Sequence, residues 1–233
     1  MASAVGQMRA GAGPFGQGRD QPVVFRSRPR RAGLRAAPPP RVPEADGAPL
    51  TCDMCGEPAG DPHRHVVDIE RRRLLCTCHA CGLLFSAEGA GGGRYRAVPE
   101  RYAKLSGGQG ARAFWETLEV PVGVAFFLVS SKTGRVSAFY PGPAGATESL
   151  LSLEGWQEAL GSLPEAAGVV PDVEALLVRA GPGTEAAECF IVPVDACYEL
   201  AGQMRQLWRG FDGGPEARAA LDGFFAKVRA RCP

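Results

Sequence analysis

The chain has 233 residues, which allows one or two domains. Hydrophobic residues make up 45% and charged residues 22%, enough for an ordinary core, while 31 Gly and 20 Pro are about a fifth of the chain and point to a part that does not fold. A net charge of +1 excludes a surface built throughout to hold nucleic acid.

Residues 1–48 hold eight Arg and three acids (Asp20, Glu44, Asp46), a net +5, which leaves −4 for the rest. They also hold seven Gly and seven Pro, including Pro38-Pro39-Pro40, and have no apolar periodicity. Such a segment cannot bury enough surface to offset its ordering entropy, so a disordered basic tail is expected. The N-terminus lacks the apolar stretch and cleavage site of a signal peptide. The most apolar run, Val120 to Val129, is too short to span a bilayer and is interrupted by Pro121. A cytoplasmic location follows as an expectation. Thiols stay reduced there, so the eight Cys should be buried, metal-bound or reactive.

Residues 49–104 read as a Cys-rich module. Five Cys and all three His fall between positions 52 and 81, with the spacing Cys52-x2-Cys55-x22-Cys78-x2-Cys81. Each pair is followed by glycine, Gly56 and Gly82. A C-x-x-C turn aims two thiolates at one centre, and the glycine relieves crowding where the chain turns away. Two such knuckles facing each other make a tetrahedral four-sulfur site. Between them, residues 65–70 (HVVDIE) and 72–76 (RRLLC) can pair as a hairpin, and residues 94–98 (RYRAV) can add a third strand. That is a zinc-ribbon or rubredoxin-like layout.

Four thiolates suit zinc, and equally a single iron; five Cys also keep an iron–sulfur cluster open. Zinc is expected, because a small module with a thin core draws folding free energy from its metal. Cys76 is an alternative ligand to Cys78, although a small buried apolar residue on the strand is the expected reading. His63, His65 and His79 are expected to be exposed and not to ligate, since four thiolates already close a structural site.

Ser106 to Arg112 (SGGQGAR) is a candidate boundary, and residues 112–233 read as an α+β domain with an antiparallel sheet and C-terminal helices. Residues 122–130 and 135–140 read as a hairpin about Ser131-Lys132-Thr133-Gly134. Residues 173–179 and 189–194 read as a second strand pair, separated by Gly181-Pro182-Gly183. Residues 141–149 after Tyr140 read as a long loop, either a partner-binding segment or a crossover. A helix is expected over 152–163 on Leu153, Trp156 and Leu160. Another is expected to be capped by Asp195 and ended by Gly210, with Cys197, Leu200, Ala201, Met204, Leu207 and Trp208 at helical spacing. A last helix starts near Pro215 and turns Ala217, Leu221, Phe224, Phe225 and Val228 to one face.

No catalytic constellation accompanies this pattern. Cys197 would sit in a first helical turn, where a thiol pKa falls, but every His lies in the other module, so burial is expected. Cys189 reads as strand core and Cys232 as an exposed thiol. Lys132-Thr133-Gly134 lacks a Ser-x-x-Lys partner. Gly91-Gly92-Gly93 lacks the Lys-Ser/Thr of a phosphate loop. The reading leans away from an enzyme.

The segments CDMCGEP, HRHVVDIERRRLLCTCHACGLLF, GGGRYRAVPERY, VPVGVAFFLVSS, AFYPGPAGATESLL, PDVEALLVRA and VPVDACYELAGQMRQLWRGFDGG resemble an uncharacterised, mostly actinobacterial family. Its genes often sit beside those of a nickel–iron hydrogenase of the high-affinity, oxygen-tolerant type. The resemblance covers about residues 50–230, and of its features only Cys52, Cys55, Cys76, Cys78 and Cys81 read as a site. It implies a non-catalytic metal-binding accessory protein that serves the assembly or docking of such a hydrogenase, with a hydrogenase subunit or maturation protein as partner. A rubredoxin-like electron carrier is the alternative. A zinc-ribbon regulator using the Arg-rich tail on nucleic acid comes last, because no defined face interleaves aromatic and basic residues.

Overall fold

A computed structural model describes residues 50–120, 122–180, 187–210 and 212–233. The basic tail expected over 1–48 and the Gly181-Pro182-Gly183 punctuation lie outside the described residues. Those that are described belong to one compact unit. The fold is α+β with two antiparallel sheets.

The small sheet is built from β1 (Arg64–Asp68), β2 (Arg73–Thr77) and β3 (Tyr95–Ala97), with β1 in the centre. The register pairs His65 with Cys76 and Val67 with Leu74. This is the hairpin and third strand that the sequence predicts. The short helix α1 (His79–Leu84) follows β2 directly.

The large sheet has the order β4-β9-β8-β5-β6-β7, all antiparallel: β4 (Ala103–Lys104), β5 (Val124–Val129), β6 (Val136–Gly142), β7 (Gly145–Leu150), β8 (Glu174–Arg179) and β9 (Glu188–Pro193). β5, β8 and β9 carry unbroken apolar runs over 124–129, 175–178 and 189–192 because both sheet faces are covered there. Phe127, Leu176 and Val178 face α2 (Gln109–Thr117) and α3 (Leu153–Ser162), where the rings of Phe114, Phe127 and Trp156 meet with centroids 5.6–5.7 Å apart. Phe126, Leu177 and Phe190 face α4 (Val194–Leu207) and α5 (Gly214–Arg231), packing on Leu200, Met204, Phe224 and Phe225.

Two expected helices are found: α3, where the Ser152 hydroxyl also caps the first turn by accepting from the Gly155 N–H at 3.0 Å, and α5, with Pro215 in its first turn. Other expectations are corrected. Residues 141–149 are neither a long loop nor a crossover: β6 runs on through Pro141 and turns tightly at Gly142–Gly145 into β7. Gly145 takes φ +97° there, and a Cβ would stand 3.2 Å from the Ala201 carbonyl oxygen, so glycine serves both turn and close approach. Asp195 is not the cap of α4; Pro193 holds that position, and Asp195 lies in the first turn with its carboxylate turned to the small sheet. α4 ends at Leu207, before Gly210. The stretch from Ser106 to Arg112 leads into α2, which the glycine-rich sequence concealed.

A third apolar cluster joins the two sheets. Val67 and Val98 of the Cys-rich part pack on Val173 and Val194 at the start of β8 and α4. Arg72, at the β1–β2 turn, reaches Glu148 on β7 at 2.9 Å. Among the described residues no helix is long and apolar enough to cross a membrane.

Candidate metal centre

The two knuckles converge. The sulfurs of Cys52, Cys55, Cys78 and Cys81 all lie within 4.8 Å of one another, and Cys55 Sγ and Cys78 Sγ are 3.9 Å apart. Metal–sulfur bonds of about 2.3 Å at tetrahedral angles require sulfurs about 3.8 Å apart, so the donor set fits a tetrahedral ion.

Each knuckle is held by its own backbone. In the first, Gly56 N–H donates to the Cys52 carbonyl (2.9 Å) and Cys52 N–H to that of Glu57 (2.8 Å). Gly56 has φ +78° and open space around it, so glycine is needed there for conformation. In the second, Cys78 caps α1, its sulfur accepting from the Cys81 N–H at 3.5 Å. Gly82 is helical and has a different reason: a Cβ would meet Arg64 Cβ and Cδ at 2.7 Å. The knuckles are joined through Asp53, whose carboxylate accepts from Cys76 N–H and whose own N–H donates to the Cys76 carbonyl, both at 2.8 Å.

The electrostatics of the sulfur cluster are those of crowded acids. Burial pushes the Cys52 thiol up, but backbone N–H groups at Cys78, Cys55 and Met54 outweigh it and bring Cys52 down to about 6. The side chains of Cys55 and Cys78 push Cys81 up to about 12. One thiolate is thus favoured and further ones are opposed by their neighbours, a conflict that a divalent cation removes. Cys52 is buried and Cys55 exposed, so the centre lies at the surface.

Cys76 lies on β2 as expected, but it is half-buried and its sulfur faces two imidazoles. His63 and His65 are not the exposed residues the sequence suggests. Both are half-buried, their Nε2 atoms are 3.1 Å apart, and His65 Nδ1 is 2.8 Å from Asp195 Oδ2. Burial alone would lower His65, but Asp195 and Cys76 outweigh it and raise it to about 9. His79 is exposed, its Nδ1 accepting from Arg64 Nε at 3.1 Å. Spacing alone gave no signal for this second group, since Asp195 lies 130 residues from His65.

The other cysteines carry no comparable surroundings. Cys189 and Cys197 are buried core residues, and burial pushes both thiols up, Cys189 to about 12. Cys232, expected to be exposed, is half-buried against the α4–α5 core, its thiol 3.3 Å from the Val228 carbonyl.

The chain belongs to a family of unknown function, DUF5947, which it matches over residues 51–232. Among curated proteins and solved structures none matches it.

Proposed function

From that membership and the geometry of the two knuckles, we propose that the chain is a non-catalytic metal-binding accessory protein. Its small sheet is a zinc-ribbon-like head in which Cys52, Cys55, Cys78 and Cys81 hold one structural zinc. The observation that carries the reading is the convergence of four thiols from two separate turns within 4.8 Å. A closed four-thiolate set leaves no open position for a substrate, so the ion's part is to hold the hairpin, α1 and the knuckles together. The ribbon then stands on the large sheet through Val67, Val98, Val173 and Val194.

The accessory role, and a nickel–iron hydrogenase subunit or maturation protein as what it serves, rest on the family resemblance of the segments quoted above. Removal of the gene tests it. Hydrogen uptake should fall and immature hydrogenase subunits accumulate, and a chain carrying Cys52→Ser should fail to restore uptake. A normal hydrogenase in the deletion strain would overturn this reading.

A second reading, a rubredoxin-like electron carrier, has one observation in its favour. Cys55 is exposed, and Leu83 and Leu84, directly after the second knuckle, are 50% and 68% exposed, an apolar rim beside the centre. Electron transfer requires iron, because zinc has no second accessible oxidation state. In that case the deletion strain would hold complete hydrogenase, active with an artificial dye and inactive with its natural acceptor. Elemental analysis of purified protein separates the two.

A further inference from the structure

The β1–β2 hairpin has one face that is half core and half unexplained. Side chains alternate along a strand, so His63, His65 and Val67 share a face. Across the register, Cys76 stands opposite His65 and Leu74 opposite Val67. Val67 and Leu74 pack against Val173 and Val194. The remaining three residues bring two imidazoles and a thiol together, with one ring nitrogen of His63, one of His65 and Sγ of Cys76 within 4.8 Å of one another.

We infer that His63, His65 and Cys76 form a second metal site, distinct from the four-cysteine centre, which takes a borderline-soft divalent cation such as zinc in a three-ligand, open arrangement. Three features carry this. First, the two Nε2 atoms point at each other at 3.1 Å. Bonds of about 2.0–2.1 Å from one ion to two imidazoles at tetrahedral angles set nitrogens about 3.3 Å apart, close to what is found. Second, the far nitrogen of His65 is held by Asp195 Oδ2 at 2.8 Å. A carboxylate at Nδ1 fixes the ring and leaves Nε2 as the donor, the usual outer partner of a ligating histidine. Third, the donors are not surface accidents. His65 and Cys76 are locked as cross-strand partners, Cys76 is fixed at its backbone by Asp53, and Asp195 is fixed in the first turn of α4.

Three protein ligands leave a fourth position for water or an incoming ligand, unlike a closed four-thiolate site. His63 also lines a depression with Leu50, Pro58, Gly60 and Asp61, so one edge of the triad meets solvent. In the absence of an ion, one proton shared between the two Nε2 atoms satisfies the same geometry.

The test is metal stoichiometry on the full chain. Zinc is titrated against a competing chromophoric chelator, and cobalt(II) replaces zinc for spectroscopy. Wild type should bind two equivalents, and the second cobalt should add a d–d envelope at shorter wavelength than the four-thiolate site, because it has one thiolate and two imidazoles. His63→Ala and Cys76→Ser should each bind one equivalent and lose only that envelope. Asp195→Asn should weaken the second equivalent by about 10- to 100-fold. Far-UV circular dichroism establishes that each variant is folded. Cys81→Ser tests the other centre, so loss of an equivalent there and in His63→Ala are separate results. One equivalent in wild type, unchanged in His63→Ala and Cys76→Ser, would overturn the inference. So would two equivalents that survive both substitutions.

Discussion

Asp195, in the first turn of α4, accepts a hydrogen bond from His65 of β1 at 2.8 Å, and so ties the Cys-rich hairpin to the far side of the chain. One residue earlier, Val194 packs on Val67, two residues along the same strand. The polar and apolar contacts thus follow the two-residue repeat of β1, and the hairpin meets the larger body through one face. The other side of the hairpin carries the packing of Arg64 on Gly82.

Gly82→Ala should destabilise the second knuckle. The new Cβ would stand 2.7 Å from Arg64 Cβ and Cδ, and the Cβ cannot swing away. Overpacking of this kind costs about 1–3 kcal/mol. Gly56→Ala should cost about 1–2 kcal/mol for a different reason, its left-handed backbone, since nothing lies within 4 Å of the added atom. Combining Arg64→Gly with Gly82→Ala should recover part of the first loss and none of the second. Thermal unfolding of the single and double variants measures this.

Asp68→Asn should lower stability at neutral pH by about 2 kcal/mol, the scale of hydrogen bonds to a charged group. Asp68 is buried, and Arg94 grips its carboxylate through Nε at 3.2 Å and an Nη at 2.7 Å while Arg71 N–H adds a third bond at 3.1 Å. The Arg94 guanidinium, against some opposing burial, holds the carboxyl below its usual range. A lowered folded pKa gives stability that is present above the unfolded value, about 3.9, and lost as pH falls through the folded value. The difference between wild type and Asp68→Asn should therefore be full at pH 7 and shrink below about pH 4. A constant difference across that range would contradict it.

Phe127→Ala should cost about 3–5 kcal/mol, as for other large aromatic truncations in a core. Phe127 is fully buried between Phe114 and Trp156 on the face of the large sheet that carries α2 and α3. The lesion lies in a different apolar cluster from the one that meets the hairpin. Chemical denaturation should report the loss, while zinc content of the folded protein stays at the wild-type value.

Much of this fold is legible in the sequence because the local signals agree with the packing. The Val- and Phe-rich run to Val129, the helix over 152–163 and the convergence of the two C-x-x-C-G units are each found in the structure. The failures have physical reasons. Gly142 and Gly145 read as loop residues, yet they are the paired ends of β6 and β7, and only Pro143 and Ala144 make the turn between them. Three glycines before Ala111 hide α2, whose helix is held by burial of Ala111 and Phe114 rather than by propensity. Asp195 has the chemistry of a helix cap, but a partner 130 residues away takes its carboxylate. His63, His65 and Cys76 are adjacent only once the β1–β2 register is known.

Thiol labelling should sort the cysteines by environment. Cys189 and Cys197 are buried with thiols pushed up, so a mild alkylating agent should leave both unmodified in the folded protein. Cys52, Cys55, Cys78 and Cys81 should be protected while metal is bound and become reactive when a chelator removes it. Peptide mapping by mass spectrometry reads each site separately. Equal labelling of Cys55 with and without chelator would count against metal at the knuckles.

In the proposed function, Cys52, Cys55, Cys78 and Cys81 hold one ion. X-ray absorption on the zinc-loaded His63→Ala protein tests it most directly, because that variant leaves only the four-cysteine centre to fill. A single shell of four sulfurs at about 2.3 Å is expected, with no nitrogen component. A protein that binds no zinc, or binds it mainly through nitrogen and oxygen, would contradict it.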